Sequence, residues 1–162
     1  MQLSSSLSTR LQYQHKSLVD IIDGLTEEQV RRPIHAGKWS IFENIVHLQT
    51  YQHTFIERVK LILEGNNPVI EKYTAEADPL FLDNCLKTFR EIMHDYIAIR
   101  KELAADMLTL PETDHHKTGV HQAFGIMTLA QWINFFLLHE AHHHFTIFRL
   151  TASLKSGADL QD

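Results

Sequence analysis

All six glycines and four prolines of this chain fall at the edges of long periodic stretches, and none interrupts one. They are Gly24, Pro33, Gly37, Gly65, Pro68, Pro79, Pro111, Gly119, Gly125 and Gly157. These two residue types cost a helix interior the most, so their confinement leaves four stretches free to be helices of roughly 20 to 30 residues. No stretch alternates like a strand between strong turn signals, and no internal repeat or low-complexity tract is present. At 162 residues the chain suits one domain with a sizeable core. The expected fold is all-α, a single-domain four-helix bundle over residues 1–162.

The first helix is expected over about Ser5 to Asp23, burying Leu7, Leu11, Leu18 and Ile22 and stopping at Gly24. A short helical turn should follow at Thr26–Gln29, where the two end residues have capping-box spacing. Pro33 to Lys38 reads as a loop. The second helix begins at Ser40 with Glu43 completing another capping box. It buries Ile41, Leu48, Tyr51, Phe55, Val59 and Ile62 and ends at Gly65. Asp78-Pro79 opens the third, with Leu82, Leu86, Phe89, Met93, Tyr96, Leu103 and Met107 inward. A long polar loop from about Leu110 to Gly125 carries His115, His116 and His121. Thr128 and Gln131 then open the fourth helix, whose stripe is Leu129, Trp132, Ile133, Phe136, Ile147, Leu150 and Leu154.

The formal charge of -5 argues against nucleic acid as a partner. Cys85 is the only cysteine, which excludes an internal disulfide and a cysteine-based zinc site. The N-terminal residues lack the pattern of a secretion signal, and no apolar run approaches a membrane span, so a cytoplasmic protein without a membrane partner is expected. Twelve histidines are present, and seven lie in the last third of the chain.

The densest group is His139-Glu140-Ala141-His142-His143-His144, inside an apolar helical pattern. His139 and His143 are spaced i, i+4 and continue the buried stripe between Phe136 and Ile147. A buried imidazole needs a polar partner, and one metal ion would satisfy both. The run also spells the zinc-protease motif H-E-x-x-H. That reading fails, because its extended form needs glycine at Thr146 and histidine at Arg149, and the strand expected beside such a helix is missing. The third ligand must come from upstream. His47, flanking the second helix's stripe, is the best choice, and His15 on the first helix is the lesser one. His53 and His94 project away from the stripes.

Lys38-Trp39-Ser40-Ile41-Phe42-Glu43-Asn44-Ile45-Val46-His47-Leu48 resembles the W-S-x-x-E-x-x-x-H segment of the DinB/YfiT-like family of metal-dependent enzymes. The stretch from Phe124-Gly125 to His143 resembles the same family's second signature, a loop glycine leading to H-x-x-x-H. The resemblance implies one divalent metal ion held by His47, His139 and His143, zinc or nickel first, with manganese or iron as alternatives. It also implies a small-molecule substrate, in some members a low-molecular-weight thiol, and a homodimer. Tyr51, His142 and His15 are candidate pocket residues. Glu140 is a candidate base or ligand-orienting group, with a solvated helix position as its alternative, whereas Glu43 reads as a cap. The function expected is a metal-dependent thiol transferase or hydrolase; the rivals are a non-catalytic metal-binding or stress-response bundle and a plain helical interaction module.

Overall fold

The computed structural model describes residues 3–156, so Gly157 lies outside them. The helices are α1 (Ser5–Tyr13), α2 (Lys16–Ile21), α3 (Glu27–Arg31), α4 (Ile41–Glu64), α5 (Pro79–Asn84), α6 (Phe89–Thr109) and α7 (Leu129–Ser156). Three short strands, β1 (Val69–Ile70), β2 (Thr118–His121) and β3 (Gly125–Thr128), accompany them. Four helical members, the α1–α2 pair, α4, α6 and α7, form the bundle; α4 packs on α6 and α7, and α1–α2 also contacts both.

Local codes start several helices. The Ser40 hydroxyl accepts the Glu43 N–H, and the Glu43 carboxylate accepts the Ser40 N–H at 2.7 Å. Thr26 with Gln29 and Thr128 with Gln131 make the same reciprocal exchange. These satisfy amide donors that a helix start otherwise leaves without partners.

Three expectations are corrected. The first helix is two, because the Ser17 hydroxyl donates to the Gln14 carbonyl at 2.8 Å while the Leu18 N–H turns to the nearer His15 carbonyl. A serine hydroxyl competing for a helix carbonyl tightens the turn locally. The third helix is also two: α5 starts at the Asp78 cap, and a Thr88–Glu91 capping box restarts the chain as α6. Consequently Leu82 and Leu86 are 53% and 86% exposed, and Phe81 and Asn84 take the inward positions. Finally, the segment expected as a polar loop pairs β2 with β3 antiparallel, and β1 joins β2 in parallel. Gly119 permits this sheet to lie on α4, since a Cβ there would stand 2.9 Å from Ile62 Cγ1.

The apolar core is divided in two. One cluster holds Leu7, Leu11, Phe55, Val59, Leu103, Met107, Trp132 and Phe136; the other holds Leu18, Ile22, Ile41, Ile45, Ile92, Tyr96, Ile147 and Leu150. Each member passes from one cluster to the other through buried polar residues: His15 after α1, His47 on α4, Arg100 on α6, and Glu140 and His144 on α7. The order in which each member visits the clusters gives its direction. The α1–α2 pair and α7 run one way, α4 and α6 the other, so the adjacent α4 and α6 are parallel. Residues 65–88 must therefore return along the bundle.

Arg100 and Glu140 anchor this polar belt, at 0% and 1% exposure. Arg100 Nε donates to Glu140 Oε1 at 2.9 Å and Nη1 to the Leu11 carbonyl at 2.8 Å. The Tyr96 hydroxyl and the Gln14 amide each donate to the same carboxylate at 2.9 Å. Burial pushes the Glu140 pKa up, but the Arg100 charge and these hydrogen bonds outweigh it, so the carboxyl stays below its ordinary value. Removing one partner of such a pair strands the other charge. Arg100→Met should therefore destabilise the fold by about 3–5 kcal/mol in denaturant titrations; a loss below about 1 kcal/mol would show that the pair contributes no more than a surface ion pair.

Candidate metal centre

Helix α4 brings His47 to the face of α7 that carries His139 and His143, whose i, i+4 spacing stacks them one turn apart. One ring nitrogen from each of the three lies within 4.8 Å of the other two, the one such metal-ligand group among the described residues. His47 Nε2 and His139 Nε2 are 3.0 Å apart. The ring centroids are separated by 4.5 to 5.0 Å.

A hydrogen-bonded chain orients the third ring. The Asn44 amide nitrogen donates to the Ser40 carbonyl at 2.8 Å, which turns Asn44 Oδ1 toward His143 Nδ1 at 2.9 Å. An amide oxygen only accepts, so His143 carries its proton on Nδ1 and keeps the Nε2 lone pair for a ligand. Burial lowers the pKa of His47 to about 4, against a small opposing pull from Glu76. Burial, then the neighbouring histidines, lowers His139 to about 3 and His143 to about 2. All three are neutral near pH 7, the form a metal ion requires. A single proton can bridge two of these nitrogens, whereas one metal ion can take the lone pairs of all three. The donor set therefore fits one divalent ion, and three imidazoles suit zinc, nickel, iron or copper better than magnesium or calcium.

Aromatic side chains enclose the group. Trp39 packs 5.1 Å from the His47 ring and 5.4 Å from Phe81, and Tyr51 lies 4.3 Å from the His139 ring, centroid to centroid. A cavity of about 450 Å³ opens on His47 and His139, walled by Tyr51, Arg58, Tyr73 and His121. A second, of about 380 Å³, lies on the far side of Trp39 and Asn44.

The structure sorts the expected site residues. His47, His139 and His143 come together, and Tyr51 stands in the cavity wall. His15 does not join them: it is 2% exposed in the belt, where burial and then the Arg100 charge lower its pKa to about 4. His142 is exposed, its ring edge-on to His143 at 5.3 Å. Glu140 is neither solvated nor among the groups around the three nitrogens; one position beyond His139 turns it toward Arg100 instead. Glu43 is the cap expected of it, and His53 and His94 are exposed. Of the loop histidines, His121 reaches the cavity, while His115 is buried elsewhere. Sequence reasoning passed over Asn44 and Arg58. Their signals were a polar residue one turn before His47, and a charge beside Val59 on an otherwise apolar stripe.

A four-helix bundle with three histidines meeting at mid-height defines a class of helical metal-site proteins. The family model described as DinB superfamily matches residues 10–147, and the chain belongs to that superfamily. The chain is 30% identical to YuaE of Bacillus subtilis, over 75% of this chain and 83% of that one. An Oceanobacillus iheyensis protein named "Putative metal-dependent hydrolase OB0413" is 23% identical over 87% of this chain and 80% of its own. YfiT from Bacillus subtilis, described as "a probable metal-dependent hydrolase with an unusual four-helix bundle topology", superposes with a TM-score of 0.77 at 21% identity. That superposition covers 94% of this chain and 86% of YfiT, and it shows the shared fold.

Two outcomes are expected. Alanine at His47, His139 or His143 should reduce bound metal from about one per chain to near zero by elemental analysis, whereas His53→Ala should not; full occupancy in His47→Ala would remove it from the site. The second concerns pH. Unfolded histidine titrates near pH 6.5, above the folded values of His15, His47, His139 and His143, so the unfolded chain binds more protons as pH falls below that point. Stability from their neutral burial is complete above about pH 6.5 and is lost as pH falls, down to about 4 for His15 and His47 and on to about 3 and 2 for His139 and His143. The Tm of the chelated protein should fall by several degrees between pH 7 and pH 4, and a flat profile would contradict the neutral burial of these rings.

Proposed function

We propose that the protein is a metal-dependent enzyme of the hydrolase or thiol-transferase type, acting on a small molecule held in the cavity beside the three histidines. The observation that carries this reading is the convergence of three neutral imidazole nitrogens beside a cavity of about 450 Å³ that opens on two of the rings, His47 and His139, a size suited to a small ligand. The name of the Oceanobacillus iheyensis relative supports the hydrolytic version. His47, His139 and His143 would hold a divalent ion, which would supply Lewis acidity and lower the pKa of water or a thiol toward neutrality.

The chain's own residues do the rest. Asn44 holds His143 with its donor nitrogen free, and Trp39 with Phe81 keeps bulk water from that side. Burial raises the Tyr51 pKa despite the nearby Arg58, so its hydroxyl retains a proton at neutral pH. That hydroxyl accepts from Arg58 at 2.7 Å and has no acceptor for its own hydrogen among the described residues. It is placed to donate to a bound molecule. Glu140 is a positioning residue in this reading, holding the rotation of α7 through Arg100. A low-molecular-weight thiol as second reactant and a homodimeric assembly belong to the same reading.

The non-catalytic alternative requires the ion to close the bundle. The test is a panel of activated esters, amides and electrophiles with cellular thiols, assayed with the protein loaded with zinc, nickel, manganese or iron. Turnover should appear with metal, vanish on chelation and in His143→Ala, and return on reloading. No metal-dependent turnover across the panel, with chelation unfolding the protein, would establish the structural role instead.

A further inference from the structure

Arg58 is 8% exposed and has no carboxylate partner among the described residues. Arg100, the other deeply buried guanidinium, has Glu140. Two of the five N–H groups of Arg58 are used, one on the Tyr51 hydroxyl at 2.7 Å and one on the Glu71 carbonyl at 2.8 Å. Its remaining partners are the Tyr51 and Trp132 rings, whose centroids lie 5.4 and 5.9 Å from the guanidinium carbon. Neutral acceptors and ring faces compensate a buried charge only in part. This cation also lines the cavity that opens on His47 and His139.

We propose that Arg58 is the anion-recognition residue of this cavity and that the substrate is a small carboxylate, with its carboxylate on Arg58 and its reacting group at the three histidines. The inference rests on the enzymatic reading above and names its substrate class. The planar fork of arginine matches a carboxylate. The Tyr51 hydroxyl, with its hydrogen uncommitted, supplies a second donor beside it. Tyr51 also spans the two ends of the site, since its ring packs on His139 and its oxygen touches Arg58. In the metal-free protein the charges lining the cavity favour a monoanion: Arg58 and Lys72 are positive, Glu71 is negative, and the sum is one positive charge. A carboxylate carries one negative charge, whereas a phosphate monoester carries nearly two.

The test uses 4-phenylbutanoate, the isosteric neutral 4-phenylbutanamide and 3-phenylpropyl phosphate, titrated calorimetrically into protein treated with a chelator. Removing the metal separates this inference from the enzymatic reading, because coordination to an ion cannot then produce a preference. The carboxylate should bind about tenfold or more tighter than the amide, tighter than the phosphate, and should shift the Arg58 Nε–H resonance. Arg58→Gln should abolish the preference, Arg58→Lys should keep part of it, and Arg90→Gln on the surface should leave it intact. If circular dichroism shows Arg58→Gln unfolded, Tyr51→Phe replaces it and should weaken the carboxylate more than the amide. Equal affinity for carboxylate and amide, binding of neither, tighter phosphate binding, or a preference that survives Arg58→Gln would overturn the assignment. Retained preference in a protein that shows no metal-dependent turnover would sink the enzymatic reading and leave carboxylate recognition standing.

Discussion

The rotation of α7 about its own axis is set by the buried contact between Glu140 and Arg100, and the metal centre depends on that rotation. Successive helix residues are about 100° apart, so turning α7 by one position would pull Glu140 from Arg100 and carry His139 and His143 away from His47. An unpaired carboxylate in an apolar interior is far costlier than the small repacking a few methyl groups would need. The pair therefore selects one phase of the helix over its neighbours. Its other bonds, to Tyr96 and Gln14 and from Arg100 to the Leu11 carbonyl, tie α1, α6 and α7 together at the same height. A single polar layer thus orients three of the four bundle members around the fourth, which delivers His47.

Much of this was legible in the residues, for reasons that differ by element. Helix α4 could be placed closely because both of its ends carry local chemistry, the Ser40–Glu43 box and Gly65, and its interior follows one stripe. His139 and His143 could be paired because i, i+4 spacing is a property of any helix. The split in the third helix was missed although Thr88 and Glu91 spell the same box; the apolar spacing through Leu82 and Leu86 fitted a continuous stripe, and only tertiary packing shows that they face outward. The short strands were illegible for another reason. Pairings of two to four residues are set by partners that residues 69–70 and 118–128 find only in three dimensions. The burial of Glu140 was not legible because its partner, Arg100, lies 40 residues away on another helix.

The site combines two environments. Around the ligand nitrogens the surroundings are aromatic and uncharged, which keeps the imidazoles neutral and strengthens any electrostatic interaction made there. One tyrosine away, Arg58 places a fixed positive charge against the same cavity. Segregating the two protects each, because a carboxylate near the histidines would raise their pKa values, and the Arg58 charge acts instead to keep His139 neutral.

The pairing of β1 with β2 has a consequence of an evolutionary kind. β1 belongs to the connection between α4 and α6, and β2 to that between α6 and α7, so two separate loops are clasped into one structure beside the cavity. The three clustered histidines reside on α4 and α7, whereas much of the cavity's outer wall, from Ile70 to Tyr73 and from His121 to Ala123, comes from those loops. Under the proposed function, reaction chemistry and ligand choice are thus encoded in different segments. The proposed function then lets new specificities be sampled by exchanging the clasp while the histidine frame stays constant, with the two loops constrained together where Val69 and Ile70 pair with Val120 and His121.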